Sequence, residues 1–95
     1  MEFEWDTAKE AENRRKHGVS FTAAAYALED PRKIELIDDR FDYSEERIQS
    51  ICAYRGTVLF VVSVMRSENL CRIISARKAT RNEQNQYLQG GPLLA

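Results

Sequence analysis

Apolar positions along the chain recur at strand spacing, then at helix spacing, then at strand spacing again. Glu2-Phe3-Glu4-Trp5 alternates polar with apolar and predicts a short first strand. Asp6 is a good N-cap for a helix over Thr7 to His17, whose contact stripe is only Ala8 and Ala11. Arg14, Arg15, Lys16 and His17 fill its last turn and complement the negative end of the helix dipole, and Gly18 supplies the left-handed stop. Ser20 caps a second helix, in which Phe21, Ala24, Ala25 and Leu28 fall on one face, and Asp30-Pro31 ends it.

From Lys33 the period becomes two. Lys33 to Ile37 predicts a strand with Ile34 and Leu36 inward and Glu35 outward, followed by a charged loop from Asp38 to Glu46. Arg47 to Arg55 is the next strand, and Gly56 marks a tight turn. Thr57 to Met65 is rich in β-branched and aromatic residues, as suits the centre of a sheet. Ser67-Glu68-Asn69 turns the chain into a last strand, Leu70 to Ala76, so the three strands form an antiparallel meander. Thr80 and Glu83 make a capping box for a final helix, Arg81 to Leu88, which is polar apart from Tyr87 and Leu88. A helix this polar lies at an edge or is completed by a partner. The order β-α-α-β-β-β-β-α predicts an α+β fold with an antiparallel sheet and a polar C-terminal helix.

Length and composition narrow this further. Ninety-five residues suit one domain, taken as residues 1–89 with a short tail at 90–95. At 43% apolar and 31% charged residues the chain is neither disordered nor of low complexity. No apolar run approaches the ~20 residues of a membrane helix, and the acidic start is unlike a secretory leader, so a cytoplasmic location is expected. Cys52 and Cys71 sit inside apolar stretches and read as free core thiols, with no ligand spacing for a metal.

The formal net charge of −1 argues against a strongly basic nucleic-acid binder. The charge is uneven, however. Acids outnumber bases up to Ser50, whereas from Ile51 onward only Glu68 and Glu83 face Arg55, Arg66, Arg72, Arg77, Lys78 and Arg81. Arginine offers a rigid donor fork suited to phosphate.

Several residues could carry chemistry. His17 is the only histidine, and it reads equally as a dipole-complementing helix end and as an acid, a base or an RNA contact. Arg72 lies between Cys71 and Ile73, where a charge needs a groove or a carboxylate such as Glu46 or an aspartate. Arg72 and Arg77 are five residues apart, so a regular strand points them to opposite faces, unless twist at the strand end relaxes the rule. Arg77, Lys78 and Arg81 cluster at the start of the last helix, a corner suited to phosphate. Tyr87 reads as a helix anchor or as a phenol facing that corner. Glu46-Arg47 reads as an ion pair or as an acid-base element at the sheet rim. A phosphate-binding glycine loop and a nucleophile elbow are absent from the sequence.

As strings, these residues resemble the BrnT toxin family of type II toxin-antitoxin systems. One signature is Phe3-Glu4-Trp5-Asp6, Lys9, Asn13 and Lys16-His17-Gly18-Val19-Ser20-Phe21, with Ala24 following. A second is Asp30-Pro31, Asp39-Arg40 and Tyr43 through Glu46-Arg47, with Ser44 where the family usually has glycine. The third is Arg72-Ile73-Ile74-Ser75-Ala76-Arg77-Lys78-Ala79, then Arg81, Glu83 and Tyr87. The resemblance implies a RelE-like fold and a metal-independent endoribonuclease of the mRNA interferase type, without a cofactor, that inhibits translation. It implies a BrnA-like ribbon-helix-helix antitoxin as partner, operator DNA bound only through that antitoxin, and RNA or the ribosome as target. Under it, Arg72 and Arg77 would stabilise phosphate charge, His17 or Glu46 would be the base, and Tyr87 an acid or a positioning group. Lys16, Arg47, Lys78 and Arg81 would hold RNA. The alternatives are a non-catalytic RNA- or ribosome-binding module and a subunit that binds only the antitoxin.

Overall fold

The computed structural model describes residues 1–38 and 45–90. Residues 39–44, with the Asp39-Arg40, Tyr43 and Ser44 positions of the second signature, and tail residues 91–95 lie outside the described residues.

The elements follow the expected order: β1 (Glu2–Glu4), α1 (Thr7–His17), α2 (Phe21–Ala27), β2 (Ile34–Asp38), β3 (Arg47–Tyr54), β4 (Thr57–Ser67), β5 (Leu70–Lys78) and α3 (Arg81–Leu88). The local signals act as their chemistry requires. The Asp6 carboxylate accepts the Ala8 and Lys9 N–H groups, and Gly18 closes α1 at φ 70°. Arg55 and Gly56 both have positive φ, 51° and 79°, which suits the tight turn between β3 and β4. Thr80 and Glu83 form the reciprocal capping box at the start of α3.

The strand order is β1-β5-β4-β3-β2. Strands β2 to β5 make the expected antiparallel meander, but β1 pairs with β5 in parallel, so the sheet is mixed rather than antiparallel throughout. The connectivity explains this. After β1 the chain crosses one face as α1 and α2 and enters β2 at the far edge. The meander then returns strand by strand and delivers β5 beside β1. β1 is only three residues long and pairs Glu2, Phe3 and Glu4 with Leu70, Cys71 and Arg72. Beyond its end, Asn13 of α1 takes over: its amide donates to the Ala76 and Val19 carbonyls at 2.8 and 3.0 Å and accepts the Ala76 N–H at 3.1 Å.

Helices pack on both faces of the sheet. On one, Phe21, Ala24 and Ala27 of α2 bury against Cys52, Leu59, Val61, Ile73 and Ala76. Trp5 meets Phe21 edge-on at 6.1 Å. Both cysteines are buried free thiols, and burial pushes the Cys52 thiol up to about 12. On the other face, Tyr87 of α3 packs on Ile34, Ile51, Ala53, Val58 and Phe60. α3 has eight residues and reaches only that end of the face. Leu36, expected to point inward with Ile34, is therefore 40% exposed.

One irregularity in β5 changes the functional face. Val62 pairs with Ser75 and the next residue, Ser63, pairs with Ile73, which leaves Ile74 as the extra residue of a bulge. Side-chain parity flips there. Cys71 and Ile73 before the bulge and Ala76 after it all join the α2-side core. Arg72 and Arg77 consequently share the opposite face. No described helix is long and apolar enough to cross a membrane.

Candidate functional site

Among the described residues the face that carries α3 is covered at one end only, and the sequence-predicted arginines lie along it in register. One row across the sheet runs through Asp38 opposite Arg47 and Val64 opposite Arg72, with Glu4 opposite Arg72 on β1. The next row holds Leu36 opposite Gln49, and Gln49 and Ser75 both opposite Val62. The third holds Ile34, Ile51, Phe60 and Arg77, where α3 begins to cover the sheet. Arg47, Arg72 and Arg77 thus point to one side, spaced across a partly open, mixed polar and apolar floor.

Arg72 and Arg77 are each held by specific contacts. Arg72 donates to Glu4 at 2.9 Å, with about a third of both side chains still exposed. Its carboxylate partner is therefore Glu4 on the neighbouring strand; among the described residues it makes no ion pair with Glu46 or an aspartate. Arg77 makes a two-pronged pair with Glu83 at 2.9 and 3.0 Å, donates to the Lys78 carbonyl, and lies 4.2 Å over the Phe60 ring. These bonds leave its Nε–H and one Nη2 hydrogen uncommitted. Burial works against the Glu83 carboxylate, but Arg77 and the Thr80 N–H outweigh it and keep Glu83 below the usual carboxylate range.

The Tyr87 hydroxyl donates to Asp30, which also accepts the Arg32 and Ala53 N–H groups at 2.9 Å. Burial opposes the Asp30 charge, yet the Tyr87, Arg32 and Ala53 hydrogen bonds hold its pKa below the ordinary value. That same bond to Asp30, followed by burial, raises Tyr87 above its own. Tyr87 is 8% exposed, and Arg32 sits 5.7 Å over its ring. Its proton is directed into the α3 anchor.

His17 and Lys16 stand at the exposed C-terminal end of α1. Together with Lys9, Glu12 and Asn13 they line an open cleft of about 430 Å³ whose other wall is Ile74 and Ser75 of the β5 bulge. The bulge thus borders both the arginine face and the histidine cleft. Arg81 is exposed at the start of α3 near Arg77, but Lys78, paired with Leu59, turns to the α2 side beside Ser20 and Ala23, so the expected corner of Arg77, Lys78 and Arg81 is split between the two faces. Glu46 is exposed at the start of β3, next to Arg47 and on the far side of the sheet from α1. Among the described residues, no cluster of three His, Cys, Asp or Glu side chains is placed to hold a metal ion.

Sequence reading did not single out Glu4 or Asp30 as partners in the site. Glu83 was legible only as a capping-box residue, and that cap is the signal that could have placed its carboxylate beside Arg77. Asp30 was legible only as a helix stop.

Over residues 5–83 the chain matches the model of the family described as the ribonuclease toxin, BrnT, of type II toxin-antitoxin systems. Among solved structures it is similar to the crystal structure of the Brucella abortus ribonuclease toxin BrnT. That match has a TM-score of 0.62 and 23% identity, and it covers 85% of this chain and 99% of that one. At that identity the likeness carries the fold. No curated protein matches the chain at a significant level. The three separated signatures, the order of the elements and the family match agree: the chain belongs to the BrnT ribonuclease toxins of type II toxin-antitoxin systems.

Proposed function

We propose that this chain is a RelE-like, metal-independent endoribonuclease of the mRNA interferase type, a single cytoplasmic domain over residues 1–89 that inhibits translation and is neutralised by a BrnA-like ribbon-helix-helix antitoxin. Operator DNA would be met only through that antitoxin. The observation that carries the reading is the β5 bulge at Ile74, which sets Arg72 and Arg77 on one open face.

The chemistry is transfer within the RNA strand. A base takes the proton of a 2′-hydroxyl, and the oxygen attacks the adjacent phosphorus in line. The P–O2′ bond forms as the P–O5′ bond breaks, and the departing 5′-oxygen takes up a proton. The products are a 2′,3′-cyclic phosphate and a 5′-hydroxyl. Arg72 and the uncommitted N–H groups of Arg77 stabilise the extra charge on the phosphorane, a term often worth about 10²–10³-fold in rate. His17, exposed beside the bulge, is the favoured base, and Glu46 at the opposite rim is the second choice. An acid-base group contributes about 10²–10⁴-fold. Lys16, Arg47 and Arg81 hold the RNA backbone; Lys78, on the α2 side of β5, lies off this track. Tyr87 acts as a positioning group, because its hydroxyl serves Asp30 and fixes α3 over Phe60 and Arg77.

The test is cleavage of a single-stranded RNA by the purified chain with EDTA present, with end-group analysis of the products. Arg72→Ala and Arg77→Lys should each lower the rate about 100-fold while the fold, followed by circular dichroism, persists. Cells expressing the wild type should arrest with loss of RNA, and those expressing the variants should grow. RNA binding without cleavage by the wild type would select the non-catalytic module instead.

A further inference from the structure

Among the described residues the face opposite the arginines is only half covered. α2 ends at Ala27, and the Asp30-Pro31 turn then carries the chain away, so the helices shield the Leu59, Val61 and Ala76 end of the sheet and stop there. Below them lies a groove of about 570 Å³, floored by Phe3, Ile48, Ser63, Met65 and Cys71 and bounded by Met1. Met65 is 38% exposed and Met1 56%. Ile37 pairs with Ile48 across β2 and β3 and continues the apolar floor to the sheet edge, 53% exposed. β2 is itself an edge strand, so among the described residues this floor runs out to the rim of the sheet.

The rim is acidic. Glu29, Asp30 and Glu35 border the groove, with the Asp30 oxygens already bonded to Tyr87, Arg32 and Ala53, and among the described residues the one base in the lining, Lys33, bonds the Leu28 carbonyl at 3.0 Å and lies 3.7 Å from Glu35. An apolar floor with a rim of net negative charge selects an amphipathic segment with basic flanks. Membership in a type II family supplies the class of occupant, because such toxins are held by a protein antitoxin. We infer that this groove is the antitoxin's docking site. It takes an apolar, base-flanked segment of that protein on the side of the sheet away from Arg72 and Arg77. Grip and blockade of the arginine face are then separate contacts, and a toxin can lose the first while keeping its own chemistry.

The test is calorimetric titration of the full-length chain with the protein encoded by the reading frame adjacent to its gene. This readout is independent of RNA cleavage, so it stands whether or not the ribonuclease assignment does. Met65→Lys and Ile37→Lys, both at side chains already exposed in the free chain, should each weaken binding about 30-fold or more. Glu29→Lys should weaken it and flatten its salt dependence. Leu88→Lys, 71% exposed on α3 across the sheet, should leave affinity unchanged. Far-ultraviolet dichroism and the unfolding midpoint verify each fold, and Met65→Gln gives a milder step in the same direction. Wild-type affinity in folded Met65→Lys and Ile37→Lys overturns the inference, as does loss of binding in Leu88→Lys alone. A concentration-dependent dimer of the wild type that Met65→Lys dissolves also overturns it and assigns the groove to a second copy.

Discussion

The side-chain amide of Asn13 meets the Ala76 C=O and N–H at 2.8 and 3.1 Å, the pairing that a neighbouring strand would otherwise offer there. It also holds the Val19 carbonyl at 3.0 Å, which ties the end of α1 to the turn before α2. Asn13 is 7% exposed, so alanine would strand a buried N–H and two carbonyls. Asn13→Ala should lower stability by about 3 kcal/mol in urea unfolding, since each orphaned buried group costs roughly 1–3 kcal/mol. Asn13→Asp should not restore it, because a carboxylate cannot donate to the two carbonyls. Tyr87 poses the other residue-scale question, whether its phenol serves the fold or the reaction. Tyr87→Phe removes one charge-assisted hydrogen bond and should cost about 2 kcal/mol of stability, with the cleavage rate kept at temperatures where the variant is folded. A folded Tyr87→Phe that has lost cleavage would return the phenol to the chemistry.

Helix α3 is held to the sheet by polar anchors more than by area, and this makes its docking sensitive to pH. Asp30 and Glu83 both have carboxyls depressed in the folded state. Each therefore contributes stability that is fully present above its unfolded value, 3.8 or 4.5, and is lost as pH falls through the folded one. Tyr87 is raised above 10.0, so its contribution is present below that value and lost as pH climbs past it. The unfolding midpoint should hold level between these limits and drop below about pH 4, and Glu83→Gln should shrink the acid drop. Elements of this kind were largely legible in the sequence. Caps and periodicity place α1 and α3 at their observed limits, because both signals are local. The parallel pairing of β1 and the bulge at Ile74 were not legible, for each depends on a partner strand far along the chain. The bulge matters most: spacing alone sends Arg72 and Arg77 to opposite faces, and one extra residue brings them together. The residue types of the candidate site could thus be read from the chain, whereas its geometry, and the carboxylates Glu4 and Glu83 that aim the arginines, required the register of the sheet.

At the scale of the whole molecule, the proposed function asks a chain of net charge −1 to bind a polyanion. The fold reconciles the two by sorting charge onto different surfaces. Arg72 and Arg77 share one face, Lys16 and His17 border it across the β5 bulge, and Arg81 sits at its α3 end, whereas Lys78 turns to the α2 side. Glu29 and Glu35 rim the groove on the reverse side. Binding by such a surface should depend steeply on salt although the net charge is slightly negative, because phosphate contacts release counterions locally. For single strands the slope of log K against log salt is roughly −0.7 per phosphate neutralised. If Lys16, Arg72, Arg77 and Arg81 each meet one phosphate, the slope for a short uncleavable RNA should be about −3. Removing any one of these cations should bring it closer to zero by about 0.7. Arg14 and Arg15 lie on the same helix as Lys16, but they pair with Glu10 at 3.4 Å and Glu12 at 2.6 Å. Arg15→Ala should therefore leave the slope unchanged, and that contrast separates a defined RNA track from diffuse attraction to any arginine on the surface. A slope that shifts equally for Arg15→Ala and Arg72→Ala would mean that the sorted face does not direct the RNA.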